Sequence, residues 1–387
     1  MAAAGQSHTI IAAFRVDLDQ VVPLASHQQL AQDRGAAFNS NFGCKIMKAK
    51  NVLFIALTIL IVGLAPAASY ARGVFNQAPA QPKVSDAEAK ALAAINSAPD
   101  AAAKLTAAEE FAKNYPKSAA LPQLADQIAI EISKVADTNQ KIALADRFEK
   151  AFTDERALSV IRSAKLDSYV TANRLDDAFT LATTILAKDP EEVHTLVQLT
   201  LAGTEEAKKG NRKHMAQTQQ YGNKAIQLIE ANKKPVGMDD PSWETHKSTL
   251  PTLYQETGIL AMLANDSEQA KARLSKAIAL KPDDPSSHAI LAYLINNEYV
   301  QQATAYKTMP EGKEKADTLK KLEGMIDNII DAYAHTVALS TGKPEYQALL
   351  QQVLPDLTSY YKFRHNQSTE GLQQLIDKYK PQSGVKP

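Results

Sequence analysis

The chain has 387 residues, with 43 lysines and arginines against 43 aspartates and glutamates, so its formal net charge is zero at pH 7. A balanced chain without a block of basic residues is not typical of a protein whose main partner is nucleic acid. Cys44 is the single cysteine, which excludes an intramolecular disulfide framework. Aromatic content is low while alanine and leucine are abundant, a balance that favours helices.

Residues 47–71, MKAKNVLFIALTILIVGLAPAASYA, have the order of a secretory signal peptide. Basic residues come first, an uncharged stretch runs from 52 to 68, and small residues precede Arg72. Pro66 ends the apolar helix just before this site. The pattern predicts cleavage between Ala71 and Arg72. The alternative is an uncleaved membrane anchor, because 17 residues is close to the lower limit of about 17 to 25 for a spanning helix.

An internal signal predicts an exported protein, located in the periplasm or cell envelope. If residues 52–68 are retained, the protein is instead anchored in the inner membrane and faces the periplasm. Residues 1–46 are then expected to be a mis-annotated extension or a disordered cytoplasmic tail. The exported part contains no cysteine, so no thiol chemistry or lipid attachment is predicted there.

Residues 72–86 contain two prolines and few apolar side chains, which is typical of a linker. Ser85 or Asp86 is suited to cap the helix that follows. Beyond this point the local signals are helical, and no convincing alternating strand pattern occurs. We therefore predict an all-α chain after the linker.

Three segments of this helical region align without gaps. Phe111, Phe148 and Ile185 occupy equivalent positions 37 residues apart, and a proline follows closely in two of the three segments. A period of this size indicates stacked helical hairpins, none of which can bury its apolar face alone. The repeats are predicted over residues 87–340.

The clearest copy, residues 251–284, resembles the tetratricopeptide repeat (TPR). Small residues occur where two antiparallel helices would cross, Asp266 can cap the second helix, and Pro282 ends it. The matched positions are Tyr254, Thr257, Gly258, Ala261, Ala270, Leu274, Ala277 and Pro282. Weaker copies include Tyr169 with Ala178, and Thr218 with Gly222 after an insertion around residues 208–211.

The resemblance implies a right-handed solenoid of antiparallel helix pairs of the bacterial exported or envelope type, with residues 341–387 as capping helices and tail. TPR arrays bind peptides or protein segments on a concave side, which is lined by the first helix of each pair. In this chain that side would carry Gln255, Ile259, Met262, Tyr293 and Asn296. Because this set is mixed in polarity, the resemblance favours an apolar or mixed protein ligand.

Three other features have both a chemical and a structural interpretation. Asp327, Asp331 and His335 share one side of a helix and could hold a metal, but apolar residues occupy the opposite side and favour a solvated face. Residues 360–365 alternate aromatic and basic side chains, which favours a final helix that buries its rings and extends its cations. Trp243 is predicted to pack between helices.

No nucleotide-binding glycine loop, HExxH motif or G-x-S-x-G motif is present in the sequence. We therefore predict no enzyme activity, no cofactor and no metal. The leading hypothesis is an exported scaffold that binds a protein or peptide. The alternatives are a membrane-anchored structural or secretion-linked scaffold, and a small-ligand binder, which would require a pocket with converging polar groups.

Overall fold

The structure is a computed structural model that describes residues 84–380, and every regular element in this range is a helix. The α-helices are α1 (Asp86–Ser97), α2 (Ala101–Asn114), α3 (Leu121–Ser133), α4 (Thr138–Ala151), α5 (Glu155–Thr171), α6 (Leu175–Lys188), α7 (Val193–Lys208), α8 (Met215–Glu230), α9 (Asp240–Ser248), α10 (Leu250–Leu263), α11 (Ser267–Leu280), α12 (Pro285–Lys307), α13 (Lys313–Ser340), α14 (Gln347–Arg364) and α15 (Leu372–Lys378). A short 3-10 turn, Pro344–Tyr346, precedes α14.

The predicted signal segment, residues 47–71, and the predicted extension, residues 1–46, lie outside the described residues. Within residues 84–380, no helix combines the length and apolar character needed to cross a membrane.

Polar side chains cap the helices where the sequence predicts. Ser85 accepts a hydrogen bond from the backbone of Glu88, and the Glu88 side chain accepts one from the Ser85 backbone, which completes a capping box. Asp266 caps α11 by accepting from the Gln269 amide at 3.0 Å. Both predicted caps are confirmed.

Asparagines make the sharp turns between paired helices. Asn173 follows α5 with φ 56°, and Asn265 follows α10 with φ 62°. Only glycine and, less readily, asparagine or aspartate adopt this left-handed conformation at low cost. Each turn reverses the chain within a few residues, so the two flanking helices pack side by side.

The described residues form two compact units, 84–282 and 283–380. In the first unit, α1 to α8 and α10 to α11 alternate as first and second helices of antiparallel pairs. The Lys188 ammonium at the end of α6 lies 2.6 Å from the Glu155 carboxylate at the start of α5, as antiparallel packing requires. The first helices also pack on one another, α3 on α5, α5 on α7 and α7 on α10. We call these four helices the first-helix row.

The 37-residue spacing corresponds to the second helices. Phe111 lies in α2, Phe148 in α4 and Ile185 in α6, and their exposed fractions are 2%, 0% and 9%. Phe111 and Phe148 belong to one continuous apolar core. The predicted repeat of buried positions is confirmed.

Small residues let neighbouring helices approach closely in the copy that resembles TPRs. A Cβ placed on Gly258 of α10 would lie 3.2 Å from the side chain of Leu274 in α11. A Cβ on Gly222 of α8 would lie 2.5 Å from Cγ2 of Thr257 in α10. The close helix crossings predicted from Gly258 and Ala270 are therefore present, and Ala270 is fully buried.

The second unit contains α12 to α15. The long helix α13 spans Lys313–Ser340. One core joins α12 and α13, which the sequence assigns to the repeat region, to the C-terminal helices α14 and α15. Its members include Tyr299, Leu322, Ile329, Leu349, Leu357, Tyr360 and Ile376.

Candidate functional site on the first-helix row

An ion pair links neighbouring helices at every junction of the first-helix row. Arg156 of α5 pairs with Asp126 of α3. His194 of α7 lies 2.8 Å from the Asp167 carboxylate of α5. At the last junction, Lys208 of α7 lies 2.8 Å from Glu256 of α10. These pairs fix the spacing of the four helices in addition to the apolar core.

The pair at the last junction is buried. The side chains of Lys208 and Glu256 are 2% and 3% exposed, and Glu205 adds a second carboxylate 2.7 Å from the ammonium. Burial lowers the pKa of Lys208, but the two carboxylates outweigh it and the net pKa is above the ordinary value. Lys208 is therefore a buried cation, whereas the sequence placed it at the edge of an insertion.

Two histidines meet at the side of α7, next to Asp167. His194 has an exposed fraction of 4%, and His246 of α9 has the same fraction. Their ring centroids are 6.0 Å apart and their planes are inclined by 72°. His194 Nε2 contacts Asp167, whereas His246 Nδ1 is buried without a hydrogen-bond partner among the described residues. No sequence motif indicated this pair.

The two imidazoles differ in their protonation state at neutral pH. Burial lowers the pKa of His194, but Asp167, with a smaller effect from Glu192, raises it to about 9. Burial, followed by the positive charge of His194, lowers the pKa of His246 to about 4. At neutral pH the pair therefore consists of one imidazolium and one neutral imidazole.

Three of the residues predicted to bind a partner lie on α10. Gln255 and Met262 are partly exposed, seven residues apart on one side of the helix. Ile259 lies between them but is only 1% exposed, so its side chain belongs to the interior. Binding by Gln255 and Met262 stays a prediction, and Ile259 is not available at the surface.

The other two predicted residues, Tyr293 and Asn296, lie on α12 in the second unit. Asn296 is 3% exposed and accepts a hydrogen bond from the Tyr360 hydroxyl. Asn296 thus provides the hydrogen-bond acceptor for a buried hydroxyl of α14. Burial raises the pKa of the partly exposed Tyr293. The five predicted residues are divided between two units, and Asn296 is not at the surface.

The acidic side of α13 carries contacts to the C-terminal helices. Asp327 pairs with Arg364 of α14 at 2.8 Å, and Asp331 accepts a hydrogen bond from the Tyr379 hydroxyl. The His335 ring stacks on Tyr379 with centroids 3.5 Å apart. This face, predicted to be solvated, therefore helps to dock the end of the described chain. No cluster of three potential metal ligands occurs within residues 84–380.

The two aromatic features pack as predicted. Tyr360 and Tyr361 are buried while Lys362 and Arg364 extend into water. Trp243 is 4% exposed, and its indole Nε1 donates to Oδ1 of Asn232 at 3.0 Å. Packing therefore accounts for these rings.

Comparison with known proteins gives one match of interest. No family model matches the chain, and no curated protein matches it. Among solved structures, a thermophilic TPR protein from Thermus thermophilus is similar to this chain, with 15% sequence identity and a TM-score of 0.31. The similarity covers 60% of this chain and 99% of the other. The helical-hairpin architecture rests on the helix pairing described above and not on this similarity.

Proposed function

We propose that the protein is an exported, non-enzymatic helical-repeat scaffold that binds a protein partner along its first-helix row. The observation that carries this proposal is the side-by-side packing of α3, α5, α7 and α10, linked by an ion pair at each junction. Stacked hairpins of this kind present side chains from several helices on one extended surface. Such a surface can bind an extended or helical segment of another protein.

Four partly exposed side chains on α7 and α10 suggest the chemistry of the partner. Gln198 and Ala202 on α7, and Gln255 and Met262 on α10, combine amide and apolar groups and carry no charge. An uncharged, mixed surface suits a protein segment with alternating polar and apolar side chains. We therefore propose a peptide or protein partner without a strong net charge.

Export rests on the sequence of residues 47–71. A basic start, an apolar stretch and small residues before Arg72 support translocation across the inner membrane. N-terminal sequencing of the purified native protein tests the cleavage site. A start at Arg72 supports a released periplasmic protein, whereas a start upstream of residue 52 supports the membrane-anchored alternative.

Affinity capture from envelope fractions, read by mass spectrometry, tests binding. The tagged wild-type chain is compared with the double variant Gln255→Asp plus Met262→Asp, and with the control Leu280→Asp. Leu280 is 48% exposed at the end of α11, a second helix outside the row. We expect the double variant to lose a partner that wild type and Leu280→Asp retain, with the same helical circular dichroism in all three. Equal recovery by all three would contradict the proposal.

A further inference from the structure

Helix α9 interrupts the alternation of paired helices. It has 9 residues, lies between the pairs α7–α8 and α10–α11, and packs against α7 and α10. Its buried residues are Trp243 and His246. Few buried contacts make the docking of such a short helix weaker than that of the long paired helices.

His246 occupies a site that accepts only its neutral form. The ring is buried beside the His194 imidazole, and its Nδ1 finds no hydrogen-bond partner among the described residues. Protonation would place a second positive charge in the interior, 6.0 Å from the ring that Asp167 holds in its charged form. The cost of burying an unpaired cation therefore opposes docking in acid.

The charged groups around His246 do not offset that cost. Just before α7, the Glu192 carboxylate accepts from the Thr195 amide at 2.6 Å, and its charge raises the pKa of His246 by less than burial and His194 lower it. On α5, Asp167 contacts His194. On α10, Glu256 pairs with Lys208, and on α9 itself Glu244 pairs with Lys247 at 2.6 Å.

We propose that α9 is an acid-released helix, docked on α7 and α10 by Trp243 and a neutral His246, and undocked when His246 is protonated beside the His194 imidazolium. Release opens the apolar core to which Trp243 belongs, which also contains Val193 of α7 and Leu253 of α10. Both helices belong to the first-helix row, so acid exposes new apolar surface at one junction of the row. The device does not depend on the proposed function.

The direction of the pH effect follows from the pKa of His246. Because the pKa is lowered from 6.5 to about 4 on folding, the contribution to docking is fully present above pH 6.5. It is lost as pH falls from 6.5 through about 4. The midpoint of release therefore lies between these two values.

The segment before α9 is suited to a hinge. Asn232 and Gly237 both have positive φ, 49° and 84°, and the Val236 side chain between them is fully exposed. Backbone at these positions is not part of a helix, so it can change direction without breaking helical hydrogen bonds. The paired helices on either side have their own buried contacts, which makes release a local event.

The single tryptophan of the chain reports this event directly, because Trp243 lies on α9. Emission maximum and acrylamide quenching are measured on the full chain from pH 7.5 to 4, together with far-UV circular dichroism. We expect a red shift and a several-fold rise in the quenching constant while most helical signal remains. The control His365→Gln, at the exposed end of α14, is expected to behave as wild type.

Substitutions of His246 and His194 decide whether His246 is the responsible group. His246→Leu removes the titrating group and keeps an apolar side chain in the site, so Trp243 is expected to stay protected from quencher down to pH 4. If the leucine variant does not fold, His246→Gln replaces it. His194→Gln removes the neighbouring cation, so protonated His246 is better tolerated in the docked site and release is expected to move to lower pH. The proposal is overturned if Trp243 becomes exposed only together with loss of the helical signal, or if His246 variants keep the wild-type midpoint.

Discussion

Gly203 of α7 lies directly against Thr218 of α8, so that a Cβ placed on Gly203 would stand 2.1 Å from Thr218 Oγ1. Thr218 is fully buried, and its hydroxyl donates to the His214 carbonyl at 2.8 Å. The threonine therefore cannot turn away without losing a buried hydrogen bond. Close contact at this point brings the two helices of the pair together.

The first prediction is that Gly203→Ala destabilises the fold. Overpacking of a tight contact costs about 1 to 3 kcal/mol, which exceeds the gain in helix propensity of about 1 kcal/mol. Urea unfolding followed by circular dichroism measures the difference in free energy of unfolding.

Gly324 of α13 provides the matched control, because no atom lies within 4 Å of its Cβ position. Gly324→Ala is expected to stabilise the protein by about 0.5 to 1 kcal/mol through helix propensity alone. Equal effects of the two substitutions would show that the contact with Thr218 is not tight.

The second prediction concerns the buried cation. Lys208→Met leaves the Glu256 carboxylate buried without its partner, and breaking a buried pair in this way costs about 3 to 5 kcal/mol. The measurement is chemical denaturation at pH 7. The double variant Lys208→Met plus Glu256→Met is expected to recover much of the loss, because it removes both members of the buried pair and leaves Glu205, whose side chain is 21% exposed.

Lys271→Met is the control for this prediction, because its partner Glu268 is 87% exposed. Removing an exposed pair is expected to leave the denaturation midpoint unchanged. A loss in Lys208→Met no larger than in Lys271→Met would contradict the buried pair.

The third prediction is a loss of stability in alkali. Burial opposes the charge of His194, but Asp167 raises its pKa above 6.5, to about 9. Its contribution to the free energy of unfolding is therefore fully present below pH 6.5 and lost as pH rises through about 9. A difference of this size corresponds to roughly 3 kcal/mol. Unfolding at several pH values from 6 to 10 should show this decline in wild type and a flatter profile in His194→Gln.

The fourth prediction concerns the turn at Asn265, whose φ is 62°. Asn265→Gly should keep or raise the melting temperature, whereas Asn265→Ala should lower stability by about 1 kcal/mol, since a Cβ disfavours the left-handed conformation. Asn328 is exposed within α13, so Asn328→Ala is the comparison and should not destabilise. Equal behaviour of the two alanine variants would argue against the strained turn.

Features that depend only on residues close together in the sequence could be predicted. The cap at Ser85, the cap at Asp266 and the buried spacing of Phe111 and Phe148 all follow from local preference or from one helical period. Such signals need only a short window of sequence, and the structure confirms them.

Features that depend on helix stacking could not be predicted in this way. The burial of Lys208 needs Glu256, which lies 48 residues away on another first helix. His194 and His246 meet only because α9 folds back on α7. The burial of Ile259 could not be predicted for the same reason. A helical pattern assigns Ile259 to one side of α10 but does not show which helix packs against that side.

Site-specific photo-cross-linking tests whether a protein binds along the first-helix row. A photoreactive amino acid is placed at Gln198 or Gln255 on the first-helix row, and at Leu280 on α11 as the control position. After irradiation in intact cells, we expect both row positions to cross-link to the same protein and Leu280 not to cross-link to it. Cross-linking to that protein from Leu280 alone, or no protein cross-link from either row position, would contradict binding along the first-helix row.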